Sequence, residues 1–343
     1  MRFQNSQSNR SLSHARLPQP NEDFSNEGEM ERHSDQHSFV VCADTQLGML
    51  SGNKEWDTEL FFARQAVELI NGLDPRPAFC CVCGDIVDME YTFFEGKGFT
   101  RKECDEIQSK QNEDFKEVWS GLHPDIALVC LCGNHDVGNR PTKASIEKFQ
   151  NAFGDDYVAF WVNGTYNIVL NSCLFSNPEG AMELYKDQLL WLEARLMHAE
   201  DMQAASVFVF THHPWFLYSE DETDNLTGVT PFPVEWGPSD QVFPDYYFHI
   251  PILYRKPVME IFRKYRVSAA FSGHFHQNLV SRSSWGMDMI ITGPLSMVFE
   301  STGKPTSLSE PNVRGVRVVR CSVPPSGRAS FTHKFKPLSQ SSI

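Results

Sequence analysis

Residues 79–88 read Phe-Cys-Cys-Val-Cys-Gly-Asp-Ile-Val-Asp. A short apolar run closed by a turn residue reads as a buried strand. Gly84 marks the sharp turn at its end, and Asp85 and Asp88 follow at once. Open α/β sheets collect their ligands at the carboxyl ends of strands. The same figure recurs along the chain. Phe39–Ala43 runs into Asp44-Thr45-Gln46, and Ile126–Cys132 into Gly133-Asn134-His135-Asp136. Val207–Phe210 runs into Thr211-His212-His213-Pro214, and Ala269–Phe271 leads to Gly273-His274-Phe275-His276.

Between these runs the apolar spacing is helical. It predicts helices over Trp56–Asn71, Glu106–Leu122, Glu183–Ala199 and Pro257–Tyr265, the last opening on a proline. Further strands are expected at Val158–Val162, Tyr166–Asn171, Met287–Thr292 and Val316–Cys321. Alternating strands and helices define an α/β layered fold, and the late strands suggest an added antiparallel region. Residues 1–37 are polar and expected to be a disordered tail. Residues 38–336 form one domain, and 337–343 a short C-terminal tail. Two aromatic-rich segments, Met89–Arg101 and Leu217–Ile250, read as insertions at the carboxyl rim.

Asp, Asn and His gathered at strand ends suit a hydrolytic two-metal site. Two divalent ions about 3.5–4 Å apart lower the pKa of a bridging water and screen the phosphoryl oxygens. Asp85 is the candidate bridge. Asp44 and Gln46 stand at i and i+2, which in extended backbone points both side chains one way. His274 and His276 repeat that spacing. Asn134 offers an amide oxygen. His212 is preferred to His213 because it ends its strand. His135 follows a ligand directly and suits protonation of a leaving oxygen, its imidazole held by Asp88 or by Asp136. Mn, Fe and Zn all remain open as the metal pair.

The order Asp-x-Gln, Gly-Asp-x-x-Asp, Gly-Asn-His-Asp, His-x-Pro, Gly-His-x-His resembles the calcineurin-like metallophosphoesterase superfamily over roughly residues 38–320. Ala43–Gly48, Gly133–Asn139, Gly154–Tyr157 and Tyr247–Ile250 look like its calcineurin-like phosphoesterase domain-containing protein 1 group, classed as serine/threonine protein phosphatases. The resemblance implies a four-layer α/β/β/α sandwich with two mixed β-sheets. It also implies metal roles for Asp44, Asp85, Asn134, His212, His274 and His276, and a phosphoprotein or phosphopeptide substrate. Most of the superfamily has His where this chain has Gln46, a weaker ligand that favours Mn over Zn. Asp88 stands where purple acid phosphatases place an iron-binding Tyr. No arginine follows it, so Arg140 and Arg255 become candidate phosphate clamps, with Tyr247 a further candidate substrate contact.

The formal charge is −14 and the pI about 5.3. That balance argues against nucleic acid and anionic membrane as partners. The nine cysteines lie mostly inside the apolar runs and read as core residues of a reducing compartment. With no apolar stretch of spanning length and no signal segment, a cytoplasmic location is expected. The leading function is metal-dependent hydrolysis of phosphoserine and phosphothreonine in proteins. The alternatives are a cyclic-nucleotide or nucleotide phosphodiesterase on the same site, and a non-catalytic scaffold of this fold.

Overall fold

A computed structural model describes residues 35–224, 230–232, 242–299 and 310–339. In chain order the elements are β1 (Gln36–Cys42), α1 (Asp57–Asn71), β2 (Phe79–Cys83), α2 (Tyr91–Phe94), α3 (Arg101–Trp119), β3 (Ala127–Leu131), α4 (Asn134–Val137) and α5 (Lys143–Phe153). There follow β4 (Val158–Val162), β5 (Thr165–Val169), α6 (Cys173–Ser176), α7 (Met182–Asp201), β6 (Ser206–Phe210), β7 (Thr230–Pro231) and β8 (Val242–Phe243). The chain closes with α8 (Ile252–Lys264), β9 (Ala269–Ser272), β10 (Leu279–Arg282), β11 (Asp288–Ile291), β12 (Gly315–Ser322) and β13 (Ser330–Pro337).

Two mixed sheets carry the fold, in the orders β13-β12-β1-β2-β3 and β10-β11-β9-β6-β5-β4. The first is parallel from β1 through β3 and antiparallel at its β12–β13 edge; the second has a parallel centre with antiparallel strands at both edges. The strand alternation explains why the central runs are apolar throughout. Phe39, Val41, Phe79, Cys81, Phe208 and Phe210 pack between the sheets. Their neighbours Val40, Cys80 and Val82 face the layer of α1, α3 and α5. Val207 and Val209 face α7 and α8. A strand covered on both faces has no polar side to show. The aromatic seam between the sheets is tight: Phe39 stacks on Phe79 at 4.8 Å, and Phe210 on Phe271 at 5.3 Å. Each such buried ring contributes about 1.5–3 kcal/mol. All nine cysteines are free and buried. The result is the four-layer α/β/β/α sandwich.

Several local expectations are corrected. The first strand already starts at Gln36, inside the segment expected to be tail; residues 1–34 lie outside the described residues. The second helix opens at Arg101, five residues before Glu106, because Thr100 and Glu103 form a reciprocal capping box. The helix expected from Pro257 opens instead at Ile252, with Pro257 inside it. The ring removes the bond to the Leu253 carbonyl, at a residue that is 70% exposed. Helix α5, capped by Thr142, was not expected, nor were the edge strands β10 and β13. The late strands form no separate region: β11 runs parallel to β9 within the second sheet, and β12 covers the open edge of β1. Of the two insertions, Met89–Arg101 holds α2 and the start of α3. The other carries the small hairpin β7–β8, while Trp236 within it lies outside the described residues.

Candidate metal centre

The motifs converge at the carboxyl ends of β1, β2, β3, β6 and β9. The chain crosses between them by short backbone bonds, Asp44 N to Gly84 O at 3.1 Å and Gln46 N to Asp85 O at 2.8 Å. The ligating atoms of Asp44, Asp85 and His212 lie within 4.8 Å of one another, all buried. His212 Nε2 stands 3.3 Å from Asp85 Oδ2, 2.9 Å from Asn134 Oδ1 and 3.1 Å from His274 Nδ1. His276 Nε2 lies 3.6 Å from Asp44 Oδ1.

The backbone at Asp44 and Gln46, and at His274 and His276, is not extended as the i, i+2 spacing predicts. Asp44, Gln46, Asp85, His274 and His276 all have positive φ, between 41° and 67°. These residues sit in tight left-handed turns, each at a cost of about 1–3 kcal/mol, and such strain clusters where side chains must be aimed. The glycines are fixed by the same crowding. A Cβ on Gly133 would lie 2.1 Å from Asp85 Oδ1, and one on Gly84, itself at φ 77°, would lie 2.7 Å from His212 Nδ1.

The donor set fits two divalent ions. Gln46 Oε1 is buried with no hydrogen-bond partner among the described residues. Each candidate histidine spends one nitrogen on a backbone carbonyl, which leaves the other for a metal. His212 Nδ1 meets Cys83 O at 2.9 Å, His274 Nε2 meets Tyr247 O at 2.7 Å, and His276 Nδ1 meets Met297 O at 2.5 Å. Asn134 Nδ2 donates to Asn139 Oδ1 at 3.0 Å and to the Tyr247 hydroxyl at 3.4 Å, which turns its oxygen toward His212. Tyr247, expected as a substrate contact, is therefore placed against two candidate ligands, Asn134 and His274.

His213 is buried beside His212 and His274, and the ligating atoms of all three lie within 4.8 Å of one another. Ser172 Oγ accepts from the backbone N–H of both His212 and His213. Its own hydrogen then points to His213 Nδ1, 3.1 Å away.

His135 Nδ1 lies 3.1 Å from Asp88 Oδ1, and its backbone N–H donates to Asp85 Oδ1 at 2.8 Å. Asp88 accepts in turn from Asn53 Nδ2 at 2.6 Å, and Asn53 Oδ1 from Gln111 Nε2 at 2.7 Å. Asp136, the other candidate partner, instead accepts from the N–H groups of Gly133 (2.7 Å) and Ile86 (3.0 Å). Arg255, on α8, is buried against the second insertion, donating to the carbonyls of Glu220, Glu222 and Ile250. Arg140 is exposed and 3.8 Å from Glu179. Neither arginine is brought to the cluster. Phe93, an aromatic of the first insertion, is stacked on His135 at 4.1 Å, a partner the sequence did not give; Phe299, stacked on His276 at 4.4 Å, was missed altogether.

Without metal, the buried charges compensate one another. Burial, reinforced by Asp85 against the opposing pull of His212, pushes the Asp44 carboxyl up to about 8. Burial also works against ionised Asp85, but His212 and His135 outweigh it and hold that carboxyl well below the usual range. For His212 burial opposes the charge, yet Asp85 and Asp44 raise it to about 10. Asp44 and His212 must thus give up protons to ligate, so metal uptake should release protons and strengthen as pH rises, Asp44 contributing up to about 8 and His212 up to about 10. Manganese titrations near pH 6 and near pH 8, in buffers of different ionisation enthalpy, measure this. A pH-independent affinity without proton release would exclude the ligand pair.

A phosphoester-hydrolase fold, an α/β/β/α sandwich with buried Asp and His groups able to hold metal, is what these residues define in kind. The family model for calcineurin-like phosphoesterases matches residues 37–278, and the chain belongs to that family. It is a phosphate-ester hydrolase. Among curated relatives, the serine/threonine-protein phosphatase CPPED1 of Danio rerio is 34% identical over 275 residues, 78% of each chain. That of Homo sapiens is 33% identical over 266 residues, 75% of this chain and 74% of its own. Among solved structures, the fold is similar to purple acid phosphatase PPD1 from yellow lupin (TM-score 0.58, 12% identity, 85% of this chain and 50% of that one). It is similar also to GAP50 of Plasmodium (TM-score 0.54, 14% identity, 89% and 85%). No helix among the described residues is long and apolar enough to cross a membrane.

Proposed function

We propose that this chain is a two-metal phosphomonoesterase that hydrolyses phosphoserine and phosphothreonine in proteins. The observation that carries the reading is the convergence of Asp44, Asp85, Asn134, His212, His274 and His276 on one buried cluster, with the unpartnered Gln46 oxygen buried beside it. When bound, two divalent ions supply a nucleophilic water near neutral pH and neutralise phosphoryl charge. Gln46 and Asn134 oxygens among imidazoles and carboxylates suit manganese or iron better than zinc.

The protein's own groups supply the rest. Asp85 stands between the two halves of the donor set and anchors the His135 backbone. Burial opposes charge on His135, but Asp85 and Asp88 outweigh it and raise the imidazole to about 9. With Nδ1–H committed to Asp88, Nε2–H is free to protonate the departing alkoxide. No arginine reaches the cluster from Arg140 or Arg255, so recognition falls to the donor set. That favours a dianionic monoester over a monoanionic diester. The protein substrate rests on the relatives named as serine/threonine-protein phosphatases.

The test is a panel of a phosphoserine peptide, an aryl phosphate and cyclic AMP, with manganese supplied. The peptide should give the highest kcat/KM of the three. If cyclic AMP leads, the aromatic rim around Phe243 and Tyr247 stacks a base and the phosphodiesterase reading replaces this one.

A further inference from the structure

The short helix α2 carries a side chain that bears on His135. Phe93 lies flat on the imidazole, with ring centroids 4.1 Å apart and planes within 5° of parallel. Asp88, five residues earlier in the same segment, holds the edge of the ring through Nδ1. Edge and face together leave the imidazole no free rotation, while the Nε2 side stays unused by either partner. The segment is itself fastened. Glu90 caps the helix by accepting from Thr92 N at 2.8 Å, Phe93 N donates to Glu90 O at 3.1 Å, and Arg101 lies over the Tyr91 ring at 4.2 Å. His135 is only 11% exposed and Phe93 is half-buried, so the stack closes one side of the site.

From this geometry we infer that Phe93 is a positioning residue for His135, fixing the imidazole plane from which the leaving oxygen is protonated. The inference rests on the phosphatase reading and deepens it. An aromatic face contact is strong enough to favour one ring orientation about tenfold over its alternatives. The protonation that depends on this matters for a poor leaving group and little for a good one. In that step a water oxygen bonds to phosphorus, the phosphorus–oxygen bond to the leaving group breaks with its electron pair staying on the leaving oxygen, and the His135 Nε2 proton is transferred to that oxygen.

The experiment compares the full-length wild type, Phe93→Leu and Phe93→Tyr, each loaded with manganese. The substrates are an alkyl phosphate and 4-nitrophenyl phosphate. Phe93→Leu should lower kcat on the alkyl ester about tenfold more than kcat on the nitrophenyl ester, at equal metal content. Phe93→Tyr, which keeps the ring face, should restore the wild-type ratio. Independently of turnover, the His135 ring C–H signals of the metal-free protein should show an aromatic ring-current shift that Phe93→Leu removes and Phe93→Tyr keeps. Equal losses on both esters, or no ring-current shift in the wild type, would overturn the positioning role. If the metal-loaded wild type hydrolyses neither ester, the phosphatase reading falls and this inference falls with it.

Discussion

Asp85→Asn should reduce phosphomonoester turnover by more than about 10³-fold while leaving the fold in place. Asparagine has the same size and keeps one oxygen, so the 2.8 Å bond from the His135 backbone N–H survives. The residue lies past the end of β2 and belongs to none of the three hydrophobic cores. What disappears is a negative charge at the centre of the donor set. Two divalent ions held there would repel each other, and the Asp85 charge would offset that repulsion. The same charge raises both His135 and His212, so its loss also weakens protonation of His135. The measurements are kcat with saturating manganese, metal per chain by mass spectrometry, and the melting curve of the metal-free protein. Normal melting with lost metal and lost turnover is expected. A folded Asp85→Asn variant with near-normal activity would exclude a two-metal centre built on this residue.

The candidate ligand positions were legible because each motif that holds them closes an apolar run. A strand covered by a second sheet on one side and helices on the other must be apolar at every residue, so its end is sharply marked. The first polar residues beyond it necessarily emerge at the sheet's edge, which is why Asp44, Asp85, Asn134 and His212 stand out. The way they are aimed was not legible. Spacing at i and i+2 suggested extended backbone for Asp44 with Gln46 and for His274 with His276, whereas each turns through positive φ. Local spacing cannot report a conformation imposed by neighbouring loops packed within hydrogen-bond distance. Partnerships through space were hidden for the same reason. Nothing in the sequence pairs Phe93 with His135, or the Tyr247 carbonyl with His274. Helix α5 did leave a signal, with Ile146, Phe149 and Phe153 at helical spacing behind the Thr142 cap; strand β13 left little, since it lies on the sheet's edge and buries only Phe335. Arg255 shows the converse. Its charge suggested a phosphate clamp, but three backbone carbonyls in the second insertion take its donors.

His135→Ala separates chemistry from metal binding. The imidazole has no place in either group of converging ligand atoms. Its Nδ1 is engaged by Asp88, and its face by Phe93. Removing it should therefore leave two ions bound while lowering kcat on a phosphoserine peptide by about 10²–10⁴-fold, the usual contribution of a general acid. The loss should shrink on 4-nitrophenyl phosphate, whose leaving group departs without a proton. Asp88→Asn offers a graded companion. The amide keeps a contact to Nδ1 but not the charge that holds the imidazolium, so a smaller loss on the same substrates is expected. Two results would count against this assignment. If metal analysis shows His135→Ala losing an ion, the side chain supports a ligand and is no acid. If both esters slow by the same factor, the imidazole stabilises the phosphoryl group in flight, and the proton for the leaving oxygen must come from somewhere other than His135.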